Sequence, residues 1–307
     1  MGRHARARGQ ISQRNARAVS RGVAPTGQSG FIRPGQSAGL IDVFNRRYLL
    51  SLLVRKEVRV RYRGSVLGWL WSYVKPLTQF AVFYLALGIF LQQNDVIPNY
   101  AIYIFSGLIM VNLFNEAFSN GTKSLVDNAP LIKKIYLPRE LFPVSSSLVA
   151  FVNFLPQVAI TLVVCLIVGW TPSAVQLLGV LLAIAIILAF ATGLSLLFGS
   201  VNVSFRDAQN FVDLIALVAT WASPVLYQMS MVEAVLPPWL VLVYQLNPLT
   251  AAVELMHAGF WYPTTGGAEQ SADGLLLGLV SFGISLIVLA FGQFVFRRLE
   301  GRFAQDL

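Results

Sequence analysis

The chain has 307 residues, 56 % of them hydrophobic and 12 % charged, and its mean hydropathy is +0.64. That share of charge is about half the usual for a soluble domain, and several runs of about 20 residues carry few charges, so a water-soluble fold is excluded and membrane-crossing helices are predicted. The net charge of +9 would fit a nucleic-acid partner in a soluble protein, but here the placement of the basic residues assigns it to membrane orientation and excludes nucleic acid.

Residues 1–39 hold seven Arg and no Asp or Glu among much Gly, Ser, Gln and Pro, which predicts a disordered basic tail able to touch anionic lipid. From 40 to 63, Phe44, Tyr48 and Leu52 recur every four residues, as do Arg55, Arg59 and Arg63. One apolar and one cationic stripe on a helix predict an amphipathic element lying in the membrane interface, although the alternation Val58 to Arg63 also fits a strand.

Six spans follow, over 66–91, 100–120, 141–169, 174–200, 209–231 and 274–296. Trp69, Trp71 and Tyr73 form an interfacial belt at the start of the first, and Lys75-Pro76 predicts a bend there. The 232–273 segment is too polar and Pro-broken to span, and the apolar stretch Val241 to Tyr262 contains Asn247-Pro248. It reads as a short re-entrant or interfacial helix pair, whose backbone must be shielded by protein or line water.

The basic residues then fall on one side. Residues 1–65 hold 14 Lys or Arg, and Lys75 opens the first span; the 121–140 loop holds Lys123, Lys133, Lys134 and Arg139; Arg206 follows the fourth span; and Arg297, Arg298 and Arg302 close the chain. The intervening loops 92–99, 170–173 and 232–273 hold none, and the last carries Glu233, Glu254, Glu269 and Asp273. The positive-inside rule places both termini in the cytoplasm of a multi-pass cell-membrane protein. The fold class is thus an all-α membrane protein: a basic tail (1–39), an interface helix (40–63), a six-helix domain (64–300) and a short cytoplasmic tail (301–307).

No catalytic constellation is present. Gly121-Thr122-Lys123-Ser124 lacks the upstream glycine of a phosphate loop and follows no strand. His257 and Glu254 share a helix face but are too few ligands for a metal, and Cys165, the single cysteine, reads as a packing residue. Asn112, Asn115, Glu116 and Ser119 share one face of the second span, Asn153 and Gln157 repeat the spacing in the third, and Asp213 enters the fifth. Such residues either hydrogen-bond between helices or copies, or line a hydrated path. Phe80, Phe83, Tyr84, Trp221 and Tyr227 are either packing aromatics or slippery walls for sugar rings, whose C–H faces slide over aromatic surfaces. In the loop Asn120 to Glu140, the core Ser124 to Pro138 contains a short apolar and basic helix bounded by prolines, which either docks on a partner or lies on the membrane. Its exposed apolar residues suggest docking.

The run from Arg55 to Pro76, with Arg59, Arg61, Arg63 and Lys75, resembles the membrane subunit of type-2 ABC exporters. The Asn128 to Pro138 loop, Asn202-Val203-Ser204-Phe205-Arg206-Asp207 and Leu246-Asn247-Pro248-Leu249 support the resemblance, which is strongest with the branch exporting O-antigen, teichoic acid and related lipid-linked polysaccharides. The resemblance implies a homodimer with two separate ATPase subunits that bind ATP and Mg, no cofactor on this chain, and a polyprenyl-pyrophosphate-linked glycan as cargo across the bacterial inner membrane. It implies that Asp127, Asn128, Pro130, Leu131, Ile132, Lys133 and Lys134 couple to the ATPase. By the same resemblance Arg59, Arg61, Arg63 and Lys75 meet the pyrophosphate from the inner leaflet, and Phe80, Phe83, Tyr84, Asn112, Asn115, Glu116, Trp221 and Tyr227 line the channel. The competing readings are a type-2 exporter of drugs or lipids, an ATP-independent channel or carrier, and a membrane glycosyltransferase. The last is disfavoured by the lack of an acidic metal-binding cluster on a cytoplasmic loop.

Overall fold

A computed structural model describes residues 39–306 except 62, 66–67, 135–136 and 267–271. The tail read over 1–39 therefore lies outside the described residues but for its last position. Among the described residues the chain is helical without a strand, and five helices are long and apolar enough to cross a membrane.

Two helices precede the first span: α1 (Leu40–Asn45) and α2 (Arg47–Arg61). Their inward face, with Val43, Leu49, Leu50 and Leu53, packs on the protein, while Phe44, Tyr48 and Leu52 face outward. The stripe legible in the sequence is thus the one turned away from the molecule. The helix runs through Arg61, which excludes the strand alternative for Val58 to Arg61.

The first span is α3 (Trp71–Phe83), continued by a π-helical stretch, Tyr84–Phe90. Pro76 sits inside α3 without ending it. The missing amide removes one hydrogen bond, to the Ser72 carbonyl, near an end where carbonyl partners are already sparse. A short α4 (Gln93–Val96) leads to α5 (Tyr100–Asp127), which runs a full two turns beyond the expected second span. The six-residue α6 (Ala129–Lys134) follows, then α7 (Leu141–Val168) and α8 (Ala174–Ser204). Gly169, at φ 95°, terminates α7 in the left-handed conformation glycine adopts freely. Ser173 and Gln176 form a reciprocal capping box that starts α8.

α9 (Ala208–Trp221) has 14 residues, about 21 Å, and is shorter than the 209–231 span expected from sequence. The chain continues beyond it without a helix, alongside α5. Gln209 bonds Ser119 towards one end of α5, whereas at the other end Tyr103 donates to the carbonyls of Pro224 and Tyr227 and Tyr100 donates to that of Leu226. Irregular backbone at membrane depth requires such internal partners. The helix stops because Pro224 removes a donor and disfavours helical geometry in Ser223.

Beyond α10 (Met229–Glu233), α11 (Pro238–Gln245) and α12 (Pro248–Met256) meet at an elbow of 78°, and α12 continues as helical turns to Thr264. Asn247 caps α12 by accepting from the Leu249 amide, with Pro248 in the first helical position. At depth, Ser281 donates to the Leu246 carbonyl; at the surface, Trp261 donates to Pro98 and Asn99 to Thr264. The elbow thus lies against α13 while the far end of α12 returns to the start of α5, an arrangement that fits a re-entrant pair as well as a broken span. The last span is α13 (Ala272–Leu299), followed by α14 (Phe303–Asp306).

α5 is the central helix: 78 % of its most apolar stretch is buried, against 11 % for α3 and 17 % for α13. Two seams hold the bundle. At the first, Gly121 of α5 meets Ser195 of α8, which donates to the Ala117 carbonyl. At the second, Gly193 of α8 and Gly292 of α13 bring two backbones into contact. Small residues allow this approach where lipid gives no hydrophobic drive to pack. A second apolar cluster, including Val43, Leu125, Phe142, Phe296 and Phe303, gathers α1, α5, α7, α13 and α14 at one end. Both ends of the described chain therefore lie together, at the end where the basic residues of α2, α6 and α13 collect.

Candidate functional site

Three elements converge at the basic end. α2 is fastened to the bundle by polar contacts from one face. Ser145 Oγ donates to Glu57 Oε1 at 3.1 Å, and Ser146 Oγ lies 3.5 Å from the other carboxylate oxygen. Burial holds the Glu57 carboxyl above its ordinary range, against the opposing pull of those hydroxyls and of Lys56 and Arg61. One turn on, Arg61 pairs with Glu116 of α5, and Asn153 Nδ2 of α7 donates to the same carboxylate oxygen at 2.7 Å. Gln157 Nε2 donates in turn to the Asn153 carbonyl. One carboxylate thus ties the interface helix, the central helix and α7 together.

The short α6 joins this assembly through its leading residue. Lys56 Nζ donates to Asn128 Oδ1 at 2.6 Å, and Asn128 Nδ2 donates to the Ser124 carbonyl. Asp127, Pro130, Lys133 and Lys134 are exposed. Leu131 and Ile132 are not the exposed pair expected from sequence: they are half-buried against the basic-end apolar cluster. Amphipathic spacing placed both on one face, and that face turned towards the protein. Lys56 and Asn128 are the contact sequence reasoning missed, because 72 residues separate them and neither stands out in a local pattern.

The cations expected to meet an anion divide. Arg59, Arg63 and Lys75 are exposed. Arg61, a third exposed, pairs with Glu116.

The polar face of the second span also divides. Besides the Glu116 network, Ser119 and Gln209 surround Asp213, with Gln209 Nε2 at 2.8 Å from its Oδ1. Asn112 Nδ2 and Asn115 Oδ1 are buried atoms for which the described residues supply no hydrogen-bond partner. Buried orphan polar atoms are costly, so a partner supplied by water, cargo or another chain is indicated.

The aromatics gather where α3, α5 and α9 meet. Phe80 stacks on Tyr84 at 5.6 Å and sits edge-on to Phe105 at 5.3 Å, and Phe83 lies edge-on to Trp221 at 6.2 Å. Trp221 remains 57 % exposed, beside further exposed apolar residues of α9 such as Phe211, Leu214 and Leu217. Tyr227 stands apart from this wall: it donates to the Trp221 carbonyl and pairs with the Tyr244 hydroxyl at 3.0 Å. These bonds brace the irregular turn after α9. Among the described residues no group of three or more His, Cys, Asp or Glu is placed to hold a metal.

Comparison with known proteins places this arrangement. The chain is 29 % identical to the O-antigen export system permease protein RfbA of Klebsiella pneumoniae, over 86 % of this chain and 98 % of the relative. It is 30 % identical to the RfbA protein of Myxococcus xanthus, over 87 % and 98 %. It is 23 % identical to the capsule polysaccharide export inner-membrane protein CtrC of Neisseria meningitidis, over 80 % and 91 %. The family described as ABC-2 type transporter matches residues 48–261, which run from α2 through the elbow and include every polar contact just described between α2, α5, α6 and α7. The chain is therefore a multi-pass membrane protein that belongs to the ABC-2 type transporter family.

Proposed function

We propose that the chain is the transmembrane subunit of an ATP-driven exporter that carries a polyprenyl-pyrophosphate-linked polysaccharide across the bacterial inner membrane. Its basic end is cytoplasmic, by the one-sided placement of lysine and arginine. The relatives named for O-antigen and capsule export support the polysaccharide assignment.

The observation that carries the mechanism is the Lys56–Asn128 bond joining α6 to α2, together with the Arg61–Glu116–Asn153 network beyond it. A separate ATPase docks on α6 through Asp127, Pro130, Lys133 and Lys134. When nucleotide binding draws two ATPases together, α6 moves, Asn128 pulls Lys56, and α2 shifts against the carboxylate that fixes α5 to α7. The path lies between two copies of this subunit, where α3 and α9 present their exposed apolar faces, Phe80, Phe83 and Trp221 form smooth walls, and Asn112 and Asn115 supply polar contacts. Arg59 and Arg63, whose guanidinium forks match phosphate oxygens, and Lys75, a compact charge, receive the pyrophosphate at the cytoplasmic leaflet. ATP and Mg are held by the partner, and this chain contributes no hydrolytic group.

Depleting the protein from cells tests the cargo: a lipid-linked glycan should accumulate inside while its surface form declines. An unchanged intracellular glycan pool rejects the assignment. Lys133→Glu with Lys134→Glu should reduce ATPase co-purification with the intact subunit. Undiminished recovery of the ATPase counts against docking on α6.

A further inference from the structure

At the end of the bundle opposite the basic residues lies a cavity of about 730 Å³ between α10, the α11–α12 elbow and the start of α13. Nothing in the transport scheme above uses it. Its size is that of a small-molecule site, larger than a lone ionic group requires.

The chemistry of its walls is selective. Tyr262, tilted against Trp261 with ring centroids 4.7 Å apart, keeps a third of its surface exposed as a platform. Glu233 accepts from Gln245 Nε2 at 3.3 Å and Glu254 faces His257 Nδ1 at 3.4 Å, so both carboxylates are oriented while keeping unused lone pairs. His257 Nε2 faces the Tyr103 carbonyl at 3.1 Å and must therefore carry hydrogen. The remaining nitrogen faces Glu254. Among the described residues no lysine or arginine lines the space. A phosphate or other anion is disfavoured by this lining and its two carboxylates, Glu233 and Glu254. Oriented acceptors and amide groups around an exposed aromatic face suit a ligand with many hydroxyls and an apolar C–H face.

We propose that this cavity is a saccharide-binding site that takes one or two neutral pyranose units of the glycan on the outer side of the membrane. The outer location and the identity of the cargo rest on the function proposed above. Tyr262 stacks on the ring face, and Glu233, Glu254 and Gln245 hold its hydroxyls. The site would retain the emerging chain against backward slippage between transport steps.

The test uses the purified full-length subunit in lipid nanodiscs. Saturation-transfer NMR is recorded with methyl α-mannopyranoside, methyl β-galactopyranoside and methyl α-rhamnopyranoside. At least one should give a saturable signal strongest at the ring C–H protons. Tyr262→Ala and Glu254→Gln should each weaken it at least tenfold, and Tyr262→Phe, which keeps the ring, should retain it. Thermal unfolding of each variant checks the fold, and Glu233→Gln, at an exposed position, replaces any variant that fails to fold. No saturable binding by any of the three glycosides overturns the proposal, as does binding that survives both Tyr262→Ala and Glu254→Gln. Displacement of the signal by choline chloride assigns the cavity to ammonium ligands and also overturns it. Binding to the purified protein does not depend on what cells export. Failure of the export assignment would therefore appear as an unchanged glycan pool on depletion with this binding intact.

Discussion

The contact of α8 with α13 offers a sharp test of how the bundle is held. A Cβ added at Gly193 would lie 2.7 Å from both the Cα and the amide nitrogen of Leu289 and 2.9 Å from the carbonyl carbon of Val288; one added at Gly292 would collide with the carbonyl oxygen of Gly193. Relaxed carbon contacts sit at about 3.5–4.0 Å, so Gly193→Ala demands roughly 1 Å of separation, and the obstructing atoms are backbone that cannot rotate away. A gap of that size forfeits about a quarter to a half of the dispersion energy of each contact along the seam, consistent with the ~1–3 kcal/mol typical of overpacking. Alanine gains ~1 kcal/mol over glycine in helix propensity, which offsets part of this. Gly283 lies in the same α13, and a Cβ there meets nothing within 4 Å. Gly283→Ala should accordingly be neutral or stabilising. The assay is unfolding of the purified protein in mixed micelles of increasing SDS content. Gly193→Ala and Gly292→Ala should unfold at lower SDS fraction than the natural protein, and Gly283→Ala should not. Equal behaviour of the three variants refutes backbone contact as the seam's organising feature.

Other consequences can be checked separately. Glu57 holds its proton more tightly in the folded chain than in the unfolded one, so its contribution falls as pH rises from the ordinary carboxylate range to its raised folded pKa, then levels off. Glu57→Gln should abolish that decline and be no less stable than the natural protein at neutral pH; melting curves across pH that show the variant weaker there contradict this. Asn128→Ala removes the acceptor for Lys56 and should leave ATPase co-purification intact while lowering export at least tenfold; normal export rejects the link as a transmission element. Asn112→Leu removes a buried orphan donor and should stabilise the isolated subunit by about 1 kcal/mol while reducing export. A loss of stability would mean that the amide already has a partner. Charge reversal at Arg59 and Arg63 should reduce export with insertion unchanged, whereas Arg61→Glu should also destabilise the bundle by placing two carboxylates together at Glu116.

The long apolar runs, the one-sided placement of cations and the break at Asn247-Pro248 were determined by the sequence itself. Each depends on local properties: runs of apolar residues, charge between them, and a proline that supplies no donor. Tertiary structure alone decided that Arg61 meets Glu116, that Lys56 meets Asn128, and that Leu131 and Ile132 face inward. These pairings join residues far apart in sequence, and a helical stripe states that a face is apolar without stating what covers it. The early end of α9 has the same origin. Apolar residues up to Met231 permit a longer span, but the hydroxyls of Tyr100 and Tyr103, over 120 residues away, make an unwound stretch tolerable by satisfying its carbonyls.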